Sequence, residues 1–119
     1  MEIKLFDSEL KIMDVLWKNG DITAKQVAEI LKEQVGWSKT TTYTLIKRCI
    51  DKGAIQRLEP NFVCHPLVSI DQARELETTE LINKMYDGAA DQLVASILGR
   101  SNLSPDEINR LKELVSKLK

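Results

Sequence analysis

The stretch TAKQVAEILKEQVGWSKTTTYTLIKRCIDKG, Thr23 to Gly53, decides the fold. Thr23-Ala-Lys-Gln26 has the form of a capping box, in which the threonine oxygen takes a first-turn amide and the glutamine side chain takes the amide of the cap. Ile22 before the cap and Val27 after it suit a hydrophobic staple. Ala24, Val27, Ala28, Leu31 and Val35 recur at helical spacing, and Gly36 breaks the run. A second helix opens at Ser38 and runs to Lys52, with Gly53 as its stop. Its buried face is expected to be Thr42, Leu45, Ile46, Cys49 and Ile50. Two helices joined by Val35-Gly36-Trp37 form a helix-turn-helix pattern, in which the second helix enters the major groove of DNA.

The outer face of that second helix has suitable chemistry. Ser38, Thr40, Thr41 and Thr44 are short hydroxyl residues near its N-terminus. They donate to phosphates or base edges, and threonine methyls meet thymine methyls. The positive end of the helix dipole favours phosphate at the same place. Tyr43 projects from this face, and Lys47 and Arg48 follow one turn later. We assign Thr40, Thr41, Tyr43 and Thr44 to bases, and Ser38, Lys39, Lys47 and Arg48 to phosphates. From Ser38 to Lys52 the chain carries Lys39, Lys47, Arg48 and Lys52 against Asp51 alone, a net +3 on one short helix.

On the N-terminal side, a helix is predicted from Asp7 to about Lys18. Asp7 or Ser8 would cap it, Leu10, Met13, Leu16 and Trp17 form its apolar face, and Asn19-Gly20 ends it. On the C-terminal side come two strand-like runs, Ile55–Leu58 and Phe62–His65, separated by Glu59-Pro60-Asn61 and closed by Pro66. This hairpin reads as a wing whose Arg57 reaches a neighbouring phosphate. Beyond Ser69 the pattern is helical again. Ser69-Ile-Asp-Gln72 caps a helix of about four turns marked by Leu76, Ile82, Met85 and Tyr86 and interrupted at Gly88. Ala90–Leu98 follows, and Ser104-Pro-Asp-Glu107 opens a last helix with an apolar stripe of Ile108, Leu111, Leu114, Val115 and Leu118.

The fold class is therefore mainly α with a small antiparallel β-hairpin: a winged helix-turn-helix over residues 1–68 and a helical dimerisation region over 69–119. The last 51 residues make a marginal domain by themselves, so their apolar stripes need a partner. A second copy meets that need and matches two half-sites one helical turn apart. The expected interface is Leu76, Ile82, Tyr86, Leu93, Ile97, Ile108, Leu111, Leu114 and Val115.

Composition bounds the alternatives. The chain has 119 residues, 43% hydrophobic and 29% charged, with a net charge of −1, so indiscriminate binding to nucleic acid is not expected. Residues 1–68 carry 10 Lys/Arg against 9 Asp/Glu, and residues 69–119 carry 7 against 9. Cys49, Cys64 and the lone His65 are too few for a metal site, and a disulfide framework is not expected. Cys49 falls on an apolar face, His65 has no evident partner, and no Gly-rich phosphate loop is present, so we expect neither an enzyme nor a cofactor. No apolar run reaches membrane-spanning length. The start, Met1-Glu2-Ile3-Lys4, lacks the regions of a signal peptide, which predicts a cytoplasmic protein without membrane insertion. The competing reading is a winged-helix module that binds protein and not DNA, since fold does not fix function.

Trp37-Ser-Lys-Thr-Thr-Thr-Tyr-Thr-Leu-Ile-Lys-Arg-Cys-Ile-Asp-Lys-Gly-Ala-Ile55 resembles the reading-helix segment of the penicillinase-repressor family, the BlaI/MecI/CopY group. Asp7-Ser-Glu-Leu-Lys-Ile-Met-Asp-Val-Leu-Trp17 is similar to that family's first helix, His65-Pro-Leu-Val68 to the exit from its wing, and Leu103-Ser-Pro-Asp-Glu-Ile108 to the start of its last helix. The resemblance implies a dimeric repressor of a near-palindromic, double-stranded operator. It also implies control of β-lactam resistance genes and release by a membrane sensor-protease that cuts the dimerisation region. Two departures stand out. The copper-responsive branch has a cysteine-rich C-terminal metal site, and this chain has no cysteine after Cys64. The cleaved branch has an Asn-Phe scissile pair, where this chain has Ser96-Ile97 as the candidate proteolytic site.

Overall fold

Local signals in the chain set most of the element boundaries. The computed structural model describes residues 2–100 and 102–116; Leu118, placed on the last apolar stripe by its spacing, lies outside the described residues. The elements are α1 (Asp7–Asn19), β1 (Ile22–Thr23), α2 (Ala24–Val35), α3 (Lys39–Asp51), β2 (Ile55–Leu58), β3 (Val63–Pro66), α4 (Ile70–Met85), α5 (Ala90–Leu98) and α6 (Pro105–Ser116). Contacts divide the chain into two units, residues 1–78 and 79–119.

In the first unit, α2 starts with the capping box read from sequence: Thr23 Oγ1 accepts from the Gln26 N–H and the Gln26 side chain accepts from the Thr23 N–H. Gly36 ends it in the left-handed conformation. Ser38 caps α3, its oxygen accepting the Thr41 N–H at 3.1 Å. At the far end of α3, Gly53 has φ 84°, a value that glycine tolerates best. Its N–H donates to the Ile50 carbonyl and the Ala54 N–H to that of Cys49. This is a Schellman closure, and it delivers the buried Ala54 and Ile55 straight into the sheet.

The cap of α1 departs from expectation. Neither Asp7 nor Ser8 caps it; the N-cap is Phe6, which has no polar side chain. The carboxylate of Glu9 turns back instead and accepts the Phe6 N–H at 2.8 Å. Glu9 is itself only 1% exposed, and its Oε1 also accepts from Lys52 Nζ at 2.5 Å. Lys52 donates further to the Lys4 carbonyl and lies 4.1 Å from the Phe6 ring centroid. The end of α3 is thereby fastened to the start of α1.

The sheet has three antiparallel strands in the order β1-β3-β2, one more than the sequence pattern suggests. β1 has two residues, pairing Ile22 with Cys64 and Thr23 with Val63. So short a strand carries no alternation to detect; pairing with β3 defines it. β3 begins at Val63, not Phe62, because Phe62 has φ 54° and belongs to the turn. Pro66 does not follow the hairpin but is the last residue of β3, opposite Ile55. β1 pairs only Val63 and Cys64, so the missing proline N–H costs no ladder bond on that side.

The core lies between α1, α2, α3 and the sheet. Ile12, Met13, Leu16, Val27, Leu31, Ile46 and Ile55 fill it, with Cys49 and Cys64 as small apolar members. The Trp17 indole N–H donates to the Val68 carbonyl at 2.9 Å, fastening the exit of the hairpin to α1. In the second unit, by contrast, no described residue is buried. α5 and α6 are amphipathic, and Val94, Leu98, Leu114 and Val115 are all at least half exposed. Among the described residues no helix is long and apolar enough to cross a membrane.

Candidate nucleic-acid interface

α3 turns Leu45, Ile46, Cys49 and Thr42 into the core, as its spacing predicts, while Ile50 is only partly buried. The opposite face is left to solvent. Ser38, Lys39, Thr40, Thr41, Thr44, Lys47 and Arg48 are all exposed on it. Ser38 and Thr41 are partly occupied, since the Ser38 hydroxyl donates to Thr41 Oγ1 at 3.0 Å while capping the helix. Among the described residues, Thr40 and Thr44 make no side-chain hydrogen bond and Lys47 and Arg48 make no ion pair. Two hydroxyls near the helix N-terminus and two cations a turn later are thus available at one surface.

Three site residues stand in environments that their spacing did not predict. Lys52, counted among the phosphate-attracting charges, faces Glu9 and the backbone of Lys4; the exposed charge on the reading helix is Lys39, Lys47 and Arg48 against Asp51. Tyr43 is half-buried, not freely projecting. Its ring meets Phe62 edge to face, with centroids 6.0 Å apart at 82°, and Lys39 Nζ lies 5.7 Å from its centroid. Arg57 is exposed on β2, with its guanidinium 3.8 Å from the Phe62 centroid and 3.2 Å from the Glu59 carboxylate.

A shallow groove of about 420 Å³ runs beside α3. Thr40, Thr41, Thr44 and Arg48 form one side, and Trp37, Leu45 and Ser8 of α1 complete it. That Ser8 borders the reading helix is invisible to local pattern, because the two are about 30 or more residues apart and only packing of α1 on α3 joins them.

Catalytic chemistry finds no support in the titratable groups. Burial, with a smaller contribution from the Glu9 charge, pushes the Cys49 thiol up to about 12. Burial pushes Cys64 up to about 11. Both stay protonated at neutral pH and are poor nucleophiles. His65 does have a partner, contrary to expectation: its Nδ1 is 2.9 Å from a carboxylate oxygen of Asp21, an exposed contact that ties β3 to the residue preceding β1. Among the described residues no group of three or more metal-ligating side chains exists.

In the second unit, the expected interface residues Ile82, Tyr86, Leu93, Ile97 and Leu111 are partly exposed, and Ile108, Leu114 and Val115 more so. Leu76 is partly buried and falls within the first unit, which extends to Thr78. Ser96 is exposed and Ile97 partly buried in the last turn of α5.

A profile described as penicillinase repressor matches residues 5–117. The penicillinase repressor of Bacillus licheniformis is 30% identical, over 98% of this chain and 92% of that protein. The methicillin resistance regulatory protein MecI of Staphylococcus aureus strain N315 is also 30% identical, over 96% of this chain and 94% of the relative. Two solved structures share the fold. The solution structure of the DNA binding domain of the repressor BlaI superposes with a TM-score of 0.55 at 30% identity, covering 60% of this chain and 93% of that one. That of the monomeric form of Bacillus licheniformis BlaI in complex with the blaP half-operator superposes with a TM-score of 0.53 at 31% identity, covering 58% and 87%.

Proposed function

Because the chain belongs to the penicillinase repressor family, we propose that it represses transcription by placing α3 in the major groove of an operator. It is a DNA-binding repressor and not an enzyme, in keeping with its relatives. The observation that carries the residue-level reading is the outer face of α3, where Thr40, Thr44, Lys47 and Arg48 are all exposed and, among the described residues, the two threonines make no side-chain hydrogen bond and the two cations no ion pair. A relative solved in complex with a half-operator supports operator DNA as the ligand. Ser38, Lys39, Lys47 and Arg48 meet phosphates; Thr40, Thr41 and Thr44 meet base edges. Tyr43, half-buried with its ring against Phe62, adds a base contact, and Arg57 adds a phosphate contact from the wing.

The finer parts of the reading follow from the second unit. Its exposed apolar faces on α5 and α6 are covered by a second copy, which matches a near-palindromic operator with half-sites one turn apart. Residues 1–68 serve as the reader and 69–119 as the dimerisation region, acting in the cytoplasm. The relatives' names point to β-lactam resistance as the regulated process. Release by a membrane sensor-protease acts in α5, with Ser96-Ile97 as its candidate target.

The α3 assignment is tested by measuring binding to the DNA upstream of the protein's own gene and to an unrelated duplex. Lys47→Ala is expected to weaken both about equally and to reduce the steepness of log affinity against log salt by about one. Thr44→Ala is expected to weaken the upstream site by about 1–3 kcal/mol while leaving the unrelated duplex unchanged. Identical behaviour of the two variants contradicts the assignment of this face.

A further inference from the structure

Phe62 occupies an improbable backbone position. Its φ of 54° lies in the left-handed region, where a bulky residue is rare. Such a conformation persists where the surroundings over-determine it. Three contacts do so here. The ring forms a T-shaped pair with Tyr43 of α3. Its face is covered by the Arg57 guanidinium, 3.8 Å from the centroid. Its carbonyl accepts the N–H of Ala24, the first residue of α2, at 2.9 Å. One side chain and its peptide therefore touch the first helix of the helix-turn-helix, the reading helix, and the only Lys or Arg of the hairpin.

The geometry around Arg57 shows what this arrangement accomplishes. A guanidinium laid on a ring keeps its edge N–H groups free to donate. Here Nε and Nη2 point to the Glu59 carboxylate at 3.4 and 3.2 Å. Both partners of that pair are about half exposed, so it contributes little and exchanges readily.

We propose that Phe62 is a positioning residue for DNA binding: its ring, seated against Tyr43, fixes Arg57 relative to α3 so that wing and reading helix meet their phosphates together. Arg57 loses its rotamer freedom before binding and not during it. The proposal rests on Arg57 being a phosphate contact, and the test separates the two claims.

Binding of the full chain to its upstream DNA is measured over a range of salt for the wild type, Arg57→Ala, Phe62→Gly, the double variant and Phe62→Tyr. Glycine accepts φ 54° without strain, so Phe62→Gly keeps the turn and removes only the ring; circular dichroism checks the fold. Arg57→Ala and Phe62→Gly are each expected to lower the salt dependence by about one. Phe62→Gly is expected to weaken binding roughly fivefold. The double variant should bind no more weakly than Arg57→Ala, and Phe62→Tyr should bind as the wild type. If Arg57→Ala lowers the salt dependence and Phe62→Gly does not, or if the two losses add, Phe62 has no positioning role although the Arg57 contact stands. If Arg57→Ala leaves the salt dependence unchanged, both claims fail.

Discussion

Leu111→Asp is expected to convert the protein to a monomer and to weaken operator binding by about a hundredfold or more. The argument starts from burial. No described residue of residues 79–116 is buried, yet α6 places Ile108, Leu111 and Val115 at helical spacing, with Leu114 beside them. Leu114 and Val115 are about 60% exposed, so this apolar stripe is unfilled within one chain. A carboxylate in the centre of a dimer seam sits opposite its own symmetry mate and loses its water. Each half-site is then bound separately, and the gain from linking two readers disappears. Analytical ultracentrifugation gives the mass, and titration on the full operator and on one half-site gives the affinities. The half-site affinity should be unchanged. A Leu111→Asp protein that remains dimeric and binds the full operator normally places the seam elsewhere.

Glu9→Ala is expected to destabilise the first unit by about 2–3 kcal/mol, because it removes charge-assisted hydrogen bonds and leaves Lys52 without its carboxylate. Burial raises the Glu9 carboxyl, but the Lys52 and Phe6 hydrogen bonds and the charges of Lys52 and Arg48 outweigh it, holding the group below the usual carboxylate range. A carboxyl depressed in the folded state contributes stability that is fully present above the unfolded value, near 4.5, and is lost as pH falls through the folded value. Wild-type stability should therefore decline with acid, and Glu9→Ala should lack this part of the decline. Urea denaturation at neutral pH and at successively lower pH measures both. Parallel pH profiles for the two proteins contradict the assignment. Because Lys52 terminates α3, the same variant should also broaden the range of reading-helix positions and weaken operator binding.

The N-terminal architecture was legible because its signals are local. The Thr23/Gln26 box, the Ser38 cap, and Gly36 and Gly53 fix α2 and α3 through residues within four positions of one another. What escaped reading depends on long-range contacts. Lys52 looks like a free cation until Glu9, 43 residues away, is seen to hold it. His65 looks partnerless until Asp21 is brought beside it by strand pairing. β1 exists only because β3 offers an edge. Phe62 was legible as an apolar strand residue, but its positive φ places it in the turn, where it joins Arg57 to Tyr43. The apolar stripe of α6 was plain in the sequence, since periodicity alone defines it; what covers it was not, since periodicity names no partner.

The central claim, that the outer face of α3 reads DNA through phosphates and base edges, is tested most directly by titrating the protein on its own upstream DNA and on a scrambled duplex of equal length, at two salt concentrations. We predict tighter binding to the upstream DNA by about a thousandfold or more, and affinity that falls steeply with salt on both. Equal affinity for the two duplexes, or affinity indifferent to salt, contradicts the account.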